Sequence, residues 1–155
     1  MKLNTPRWWY VRDRSHAPVT RMVLRPLGWL WAAVTARRIA RTVPVDPGCA
    51  VVSVGNLTVG GSGKTPVARE VLRLLRDLGV EAAALSRGYG GRLDGPVRVD
   101  PTVHTAADVG DEPLMLALGG PAWIARDRVT GARAAAADGA RVVVLDDGHQ
   151  NPALK

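Results

Sequence analysis

Short apolar runs alternate along the chain with segments whose apolar residues recur every third or fourth position. CAVVSV (49–54), VEAAAL (80–85) and RVVVLDD (141–147) are of the first kind and predict strands covered on both faces. PVRV (96–99) and AWIA (122–125) predict two shorter strands. TPVAREVLRLLRDLG (65–79) is of the second kind. Val67, Val71, Leu74, Leu75 and Leu78 fall on one helical face, Arg69, Glu70, Arg73, Arg76 and Asp77 on the other, and Gly79 supplies the stop. DRVTGARAAAADGA predicts a further helix from about Asp127 to Asp138, and DVGDEP (108–113) opens a helix carrying Leu114, Met115, Leu116 and Leu118. Strands alternating with helices predict an α/β fold, a mostly parallel sheet covered by helices.

The first part of the chain has a different pattern. In VTRMVLRPLGWLWAAVTARRIAR (19–41), Val23, Leu27, Leu30, Trp31 and Val34 repeat at helical spacing, with Arg21, Arg25, Arg37, Arg38 and Arg41 bracketing them. This predicts an N-terminal amphipathic basic helix, kinked or restarted near Arg25 by Pro26. The uncharged stretch 26–36 has 11 residues, short of the roughly 20 that a spanning helix needs. Charge follows the same division. Residues 1–46 hold nine Lys/Arg against Asp13 and Asp46, which accounts for the whole net charge of +7, while residues 47–155 hold twelve of each sign. Four of the five tryptophans (Trp8, Trp9, Trp29, Trp31) lie in the same arm, and VPVDPG (43–48) reads as a linker. The expected organisation is therefore a basic, Trp-rich arm over 1–46 and a neutral domain over 47–155. An arm of this kind suits an anionic membrane surface, with tryptophans at headgroup depth and arginines on anionic lipid. Packing on the domain is the main competing reading, and a cleaved signal peptide fits less well because its basic region is too long and RRIAR follows the apolar run directly. The neutrality of the domain argues against nucleic acid as a partner. The single cysteine, Cys49, opens an apolar run and reads as a small core residue, and His16 and His104 have no companions for metal binding.

Between the first strand and the helix after it lies TVGGSGKTP (58–66), which ends as a phosphate-binding loop ends but has Thr58 where the formula G-x-x-x-x-G-K-[ST] has glycine. Gly55 and Asn56 can make the sharp turn earlier, leaving Gly60, Gly61 and Gly63 to let backbone N–H groups face phosphate oxygens. Residues Thr58, Val59, Gly60, Gly61, Ser62, Gly63, Lys64 and Thr65 thus form a candidate nucleotide cradle of lengthened form, in a P-loop NTPase-like fold. Lys64 would reach the β/γ phosphates and Thr65 would hold Mg²⁺ at the helix N-terminus. Asp146 and Asp147 close an apolar strand as a Walker B acid does, although an acidic pair is also an ordinary strand exit. Asp111 lies in the first turn of the helix opened by DVGDEP, where capping alone would favour it. His149 sits beside the acidic pair. In open parallel sheets ligands collect at the carboxyl ends of strands, and the loop at 55–65, Arg87-Gly88-Tyr89, Arg126 with Arg128, and Asp146-Asp147 all fall at such ends.

SVGNLTVGGSGKTP, LSRGYGG, VGDEP, ARDR and VLDDGHQNPAL, in that order, together with WWY and RPLGWLW, are similar to the tetraacyldisaccharide 4′-kinases of lipid A biosynthesis. The resemblance runs along nearly all of the chain and includes the loop variant at Thr58. It implies transfer of the ATP γ-phosphate to the 4′-hydroxyl of a lipid disaccharide 1-phosphate, with Mg²⁺, on the cytoplasmic face of the bacterial inner membrane. It implies that Lys64 and Thr65 bind phosphates and Mg²⁺, that Asp111 is the base for the hydroxyl proton, that Asp146 and Asp147 serve the metal, and that Tyr89, Arg128 and Gln150 contact the acceptor. The chain departs from the family's DDG-F-Q-H pattern at His149 and Asn151.

Members of that family are longer than this chain, so the resemblance implies correspondence with an N-terminal half. The 155 residues alone are expected to hold phosphate or nucleotide without turnover. A membrane-associated nucleotide-binding module is the alternative to the kinase. A GTPase fits less well, because no N-K-x-D-type guanine-reading segment follows.

Overall fold

The computed structural model describes residues 18–55, 63–146 and 152–155. Two compact units are distinguished, Met1–Thr42 and Val43–Lys155. In the first, α1 (Pro18–Arg41) is one helix with Pro26 inside it, so the helix does not restart there. Its apolar residues do not keep to one face. Met22, Val23, Leu27, Trp29, Leu30 and Trp31 surround the axis and are all exposed, while the arginines gather toward the two ends. The helix is therefore segregated along its length rather than across it, a correction to the amphipathic reading. The Arg25 guanidinium lies over the Trp29 ring, 5.5 Å from its centroid, one helical turn away. Among the described residues no helix is long and apolar enough to cross a membrane.

The second unit runs β1 (Ala50–Val54), α2 (Lys64–Asp77), β2 (Ala82–Ser86), β3 (Val97–Arg98), α3 (Ala106–Val109), α4 (Asp111–Ala117), β4 (Ala122–Ile124), α5 (Arg128–Ala137) and β5 (Val142–Asp146). The strands form one sheet in the order β1-β5-β2-β4-β3. The expected α/β fold is present: β1, β5, β2 and β4 are mutually parallel, and only the two-residue β3 pairs antiparallel, with β4. The short helix α3 has no counterpart in the sequence reading.

Alternation along the central strands builds a core on each face. Ala84 and Val144 point to the face covered by α2 and α4, where Ala68, Leu72, Val109, Leu116 and Ile124 complete the cluster. Ala83, Leu85, Val143 and Leu145 point to the face covered by α5, against Ala132 and Ala135. The buried stripe of α2 is not the one its larger residues suggest. Ala68 and Leu72 are buried, with Val71 and Leu75 partly so, whereas Val67, Leu74 and Leu78 are exposed. Small Ala68 lets the helix axis approach the sheet, and that approach selects the stripe.

The returns from α2 to β2 and from α5 to β5 use the same device. Gly79 (φ 72°) and Gly139 (φ 101°) follow the ends of α2 and α5. In each case the glycine N–H and the next N–H donate back to carbonyls of the last turn: Gly79 to Arg76 and Val80 to Leu75, Gly139 to Ala136 and Ala140 to Ala135. Asp127 caps the start of α5, its carboxylate accepting from the Val129 N–H at 3.0 Å.

α5 approaches the sheet closely at Gly131. A Cβ there would lie 2.6 Å from Ala125 Cβ and 2.8 Å from Leu85 Cδ1. Gly131→Val should therefore destabilise the domain by about 1–3 kcal/mol through overpacking, despite the better helix propensity of the new residue. Chemical denaturation monitored by circular dichroism checks this, with an unchanged or raised midpoint contradicting it.

Candidate active site

The parallel strands β1, β5, β2 and β4 send their carboxyl ends to one edge of the sheet, and the described candidate residues gather along it. β1 ends at Val54, which is opposite Asp146, the last residue of β5. Val144 and Asp146 share a face by alternation, and that face is the one α2 covers. α2 begins at Lys64, after Gly63 in the left-handed conformation (φ 75°, ψ 23°). The second helical residue, Thr65, then lies beside the strand end, its hydroxyl 3.5 Å from Asp146 Oδ2, the outer limit of a hydrogen bond. Asp146 is 2 % exposed, and Lys64 and Thr65 are half-buried.

This arrangement puts a buried carboxylate, a hydroxyl and an ammonium at the positive end of a 14-residue helix with no acid in its first turn. Such a group has the chemistry to hold a polyphosphate, with the hydroxyl and carboxylate as hard oxygen donors available to a cation that accompanies it. Among the described residues no group of three or more His, Cys, Asp or Glu could hold a metal unaided. The donor set suits a cation that arrives with phosphate ligands of its own. Thr58, Val59, Gly60, Gly61, Ser62, Asp147, His149, Gln150 and Asn151 lie outside the described residues.

Next along the edge, the segment after β2 meets the turn between α3 and α4. Gly110 joins those helices at φ 92°, ψ 158°, a region essentially closed to other residues. A Cβ on Gly110 would lie 2.5 Å from the Tyr89 carbonyl oxygen, and one on Gly91 would lie 2.6 Å from the Asp108 carbonyl oxygen. The Arg92 and Leu93 amides donate to the carbonyls of Ala107 (3.0 Å) and Asp108 (2.9 Å). Asp111, the first residue of α4, is thereby held next to the Tyr89 loop, and both side chains are exposed.

Sequence reasoning passed over Asp108. Its Oδ2 accepts from the Thr105 amide (2.8 Å) and hydroxyl (2.7 Å), closing a capping box on α3, and its Oδ1 pairs with Arg92 at 2.6 Å. The Thr105 hydroxyl and amide, and then the Arg92 charge, hold its carboxyl below the usual range. Its contribution is present above the ordinary carboxylate range and is lost as pH falls through the lowered value. The T-x-x-D spacing at 105–108 was the available signal. Of the two candidate arginines after β4, Arg126 is exposed and pairs with Asp94 at 2.9 Å. Arg128 is buried, its Nη1 donating to the Ala125 carbonyl at 2.7 Å.

Comparison with known proteins places this geometry in a lineage. The family model for tetraacyldisaccharide-1-P 4′-kinase (LpxK) matches residues 20–155. The tetraacyldisaccharide 4′-kinases of Caulobacter sp. (strain K31) and Phenylobacterium zucineum (strain HLK1) are 64% and 65% identical over all 155 residues, which cover 46% of each. That of Rhodospirillum centenum is 54% identical over 152 residues. The chain therefore spans about half the length of the curated relatives it matches. Among solved structures, "apo" form LpxK from Aquifex aeolicus in complex with ATP superposes with a TM-score of 0.72 at 29% identity, over 88% of this chain and 46% of that one.

Proposed function

The chain belongs to the tetraacyldisaccharide-1-P 4′-kinase family, and from that premise we propose that in the full-length enzyme it serves to transfer the γ-phosphate of ATP to the 4′-hydroxyl of a tetraacyldisaccharide 1-phosphate. The observation that carries the reading is the approach of Thr65 at the head of α2 to Asp146 at the end of β5. A helix N-terminus, a lysine and a hydroxyl–carboxylate pair are the parts needed to hold a triphosphate tail.

Lys64, with the loop before it from Thr58 to Gly63, takes the β and γ phosphates. Thr65, Asp146 and Asp147 are the residues that would hold Mg²⁺, which supplies charge neutralisation at the phosphates when bound. Asp111 accepts the proton of the 4′-hydroxyl as that oxygen forms its bond to the γ-phosphorus. The bond from phosphorus to the β-phosphate oxygen breaks, and ADP leaves. Lys64 stabilises the charge that develops in that step. Tyr89, Arg128 and Gln150 are assigned to the acceptor.

The lipid acceptor gives the arm its role. Exposed Trp29 and Trp31 in the middle of α1 and basic residues toward its ends, Arg38 and Arg41 in the last turn, suit contact with an anionic membrane through tryptophans at headgroup depth and arginines on anionic lipid. The proposed location is the cytoplasmic face of the inner membrane, where ATP is available.

In the full-length enzyme, Lys64→Ala should cut turnover by roughly 10²–10³-fold, the scale of one lost transition-state donor. Asp111→Asn should lower kcat while leaving ATP affinity nearly unchanged, because the base acts on the acceptor. Steady-state kinetics with labelled ATP decide both. Turnover within threefold of the parent after Lys64→Ala removes the phosphate role, and collapse of ATP affinity after Asp111→Asn reassigns that residue.

Deletion of residues 1–42 should release the protein from anionic vesicles, and binding of the parent should weaken with salt as its Debye length shortens to about 8–10 Å. Sedimentation with vesicles checks this; equal binding with and without the arm shows that the helix packs on the protein instead.

A further inference from the structure

The contact between the Tyr89 loop and the α3–α4 turn is closer than its one ion pair requires. Two backbones meet there with glycine on both sides: added Cβ atoms on Gly91 and Gly110 would come within 2.6 Å and 2.5 Å of the facing carbonyl oxygens. The Arg92 and Leu93 amides bind across the contact. One side chain reaches both segments. Asp108 uses one carboxylate oxygen to cap α3 through Thr105 and the other to hold Arg92, three residues beyond Tyr89.

We propose that Asp108 is a positioning residue, a clasp that fixes the Tyr89 loop and Asp111 in register with each other. The inference rests on the reading of Asp111 as the base. α3 is four residues long and leads through Gly110 directly into Asp111, so whatever orients α3 also aims that carboxylate. The pair itself is a poor source of stability, because the Arg92 side chain is 77% exposed and solvent screens it. The Asp108 side chain, at 13% exposure, is held in place by Thr105 whether or not Arg92 is there. What the pair adds is the relation between two segments that carry, respectively, a candidate acceptor contact and the candidate base. A base misplaced by about 1 Å can cost around 10²-fold in rate, so a small loss of register is read in turnover before it is read in folding.

The test uses Asp108→Asn, which keeps an oxygen for Thr105 and removes the charge facing Arg92, together with Arg92→Ala, Arg92→Lys and the double variant. Each is assayed in the full-length enzyme for kcat, KM for ATP and thermal midpoint, and for amide hydrogen exchange at Arg92 and Leu93. Asp108→Asn and Arg92→Ala should each lower kcat by roughly tenfold, an intermediate loss of position, with KM for ATP within twofold. The double variant should be no worse than either single one, Arg92→Lys should keep most of the turnover, and exchange at Arg92 and Leu93 should quicken. Multiplicative losses, unchanged exchange, or a lowered thermal midpoint with unchanged kcat would each overturn the clasp. Should Asp108→Asn unfold the protein, Arg92→Ala, on the exposed partner, carries the same test. If Asp111→Asn keeps full turnover, the base assignment fails separately, and the exchange measurement alone decides the clasp.

Discussion

The site depends on the parallel pairing of β1 with β5. That pairing sets Val54 against Asp146, so the strand that leads into the glycine loop and the strand that ends in the acid stop together. Side-chain alternation then determines the face. A slip of one residue would turn Asp146 away from α2 and bring Leu145 toward it. In the observed register Val54, Val144 and Ala68 share one cluster, and the apolar contact of α2 with the sheet carries Thr65 to Asp146. The register of the core is thus also the register of the candidate phosphate site.

A second contact extends the site along the same edge. α4 covers the same face as α2, through Leu116, and its first residue is Asp111. The glycines at 91 and 110 allow the Tyr89 loop and the α3–α4 turn to touch through their main chains. The candidate phosphate site and the candidate acceptor site are therefore built differently. The first relies on helix-on-sheet packing around a strand pair, and the second on two irregular segments held by hydrogen bonds and an ion pair. Charge divides in a parallel way, with the whole net positive charge in residues 1–46 and none in the remainder.

Much of this was legible because it is local. Gly-Lys-Thr between an apolar run and a helical repeat places the loop, and the cap and stop residues of α5 place its ends to within a residue. Asp146 was readable because it closes an apolar run. β3 was readable as a short strand at PVRV, but its antiparallel direction was not, since two residues hold no directional signal. The buried stripe of α2 was misread toward its larger side chains, because the fit of Ala68 against the sheet is a tertiary property. On α1 the helical spacing was correct but incomplete: Met22 and Trp29, left out of the expected face, fill the other side of the axis. Asp108 was passed over because its meaning comes from Arg92, which lies in another loop.

The central claim is that Thr65 and Asp146 act as one unit on the cation that accompanies ATP. Calorimetric titration of ATP with and without Mg²⁺, on the parent, Thr65→Ala, Asp146→Asn and the double variant, tests it most directly. The account predicts that each single change weakens Mg²⁺-dependent ATP binding by roughly 10- to 100-fold, the scale of losing a metal-site partner. It also predicts that the double variant binds no more weakly than the worse single one. Losses that multiply, or ATP affinity that is indifferent to Mg²⁺ in the parent, would contradict it.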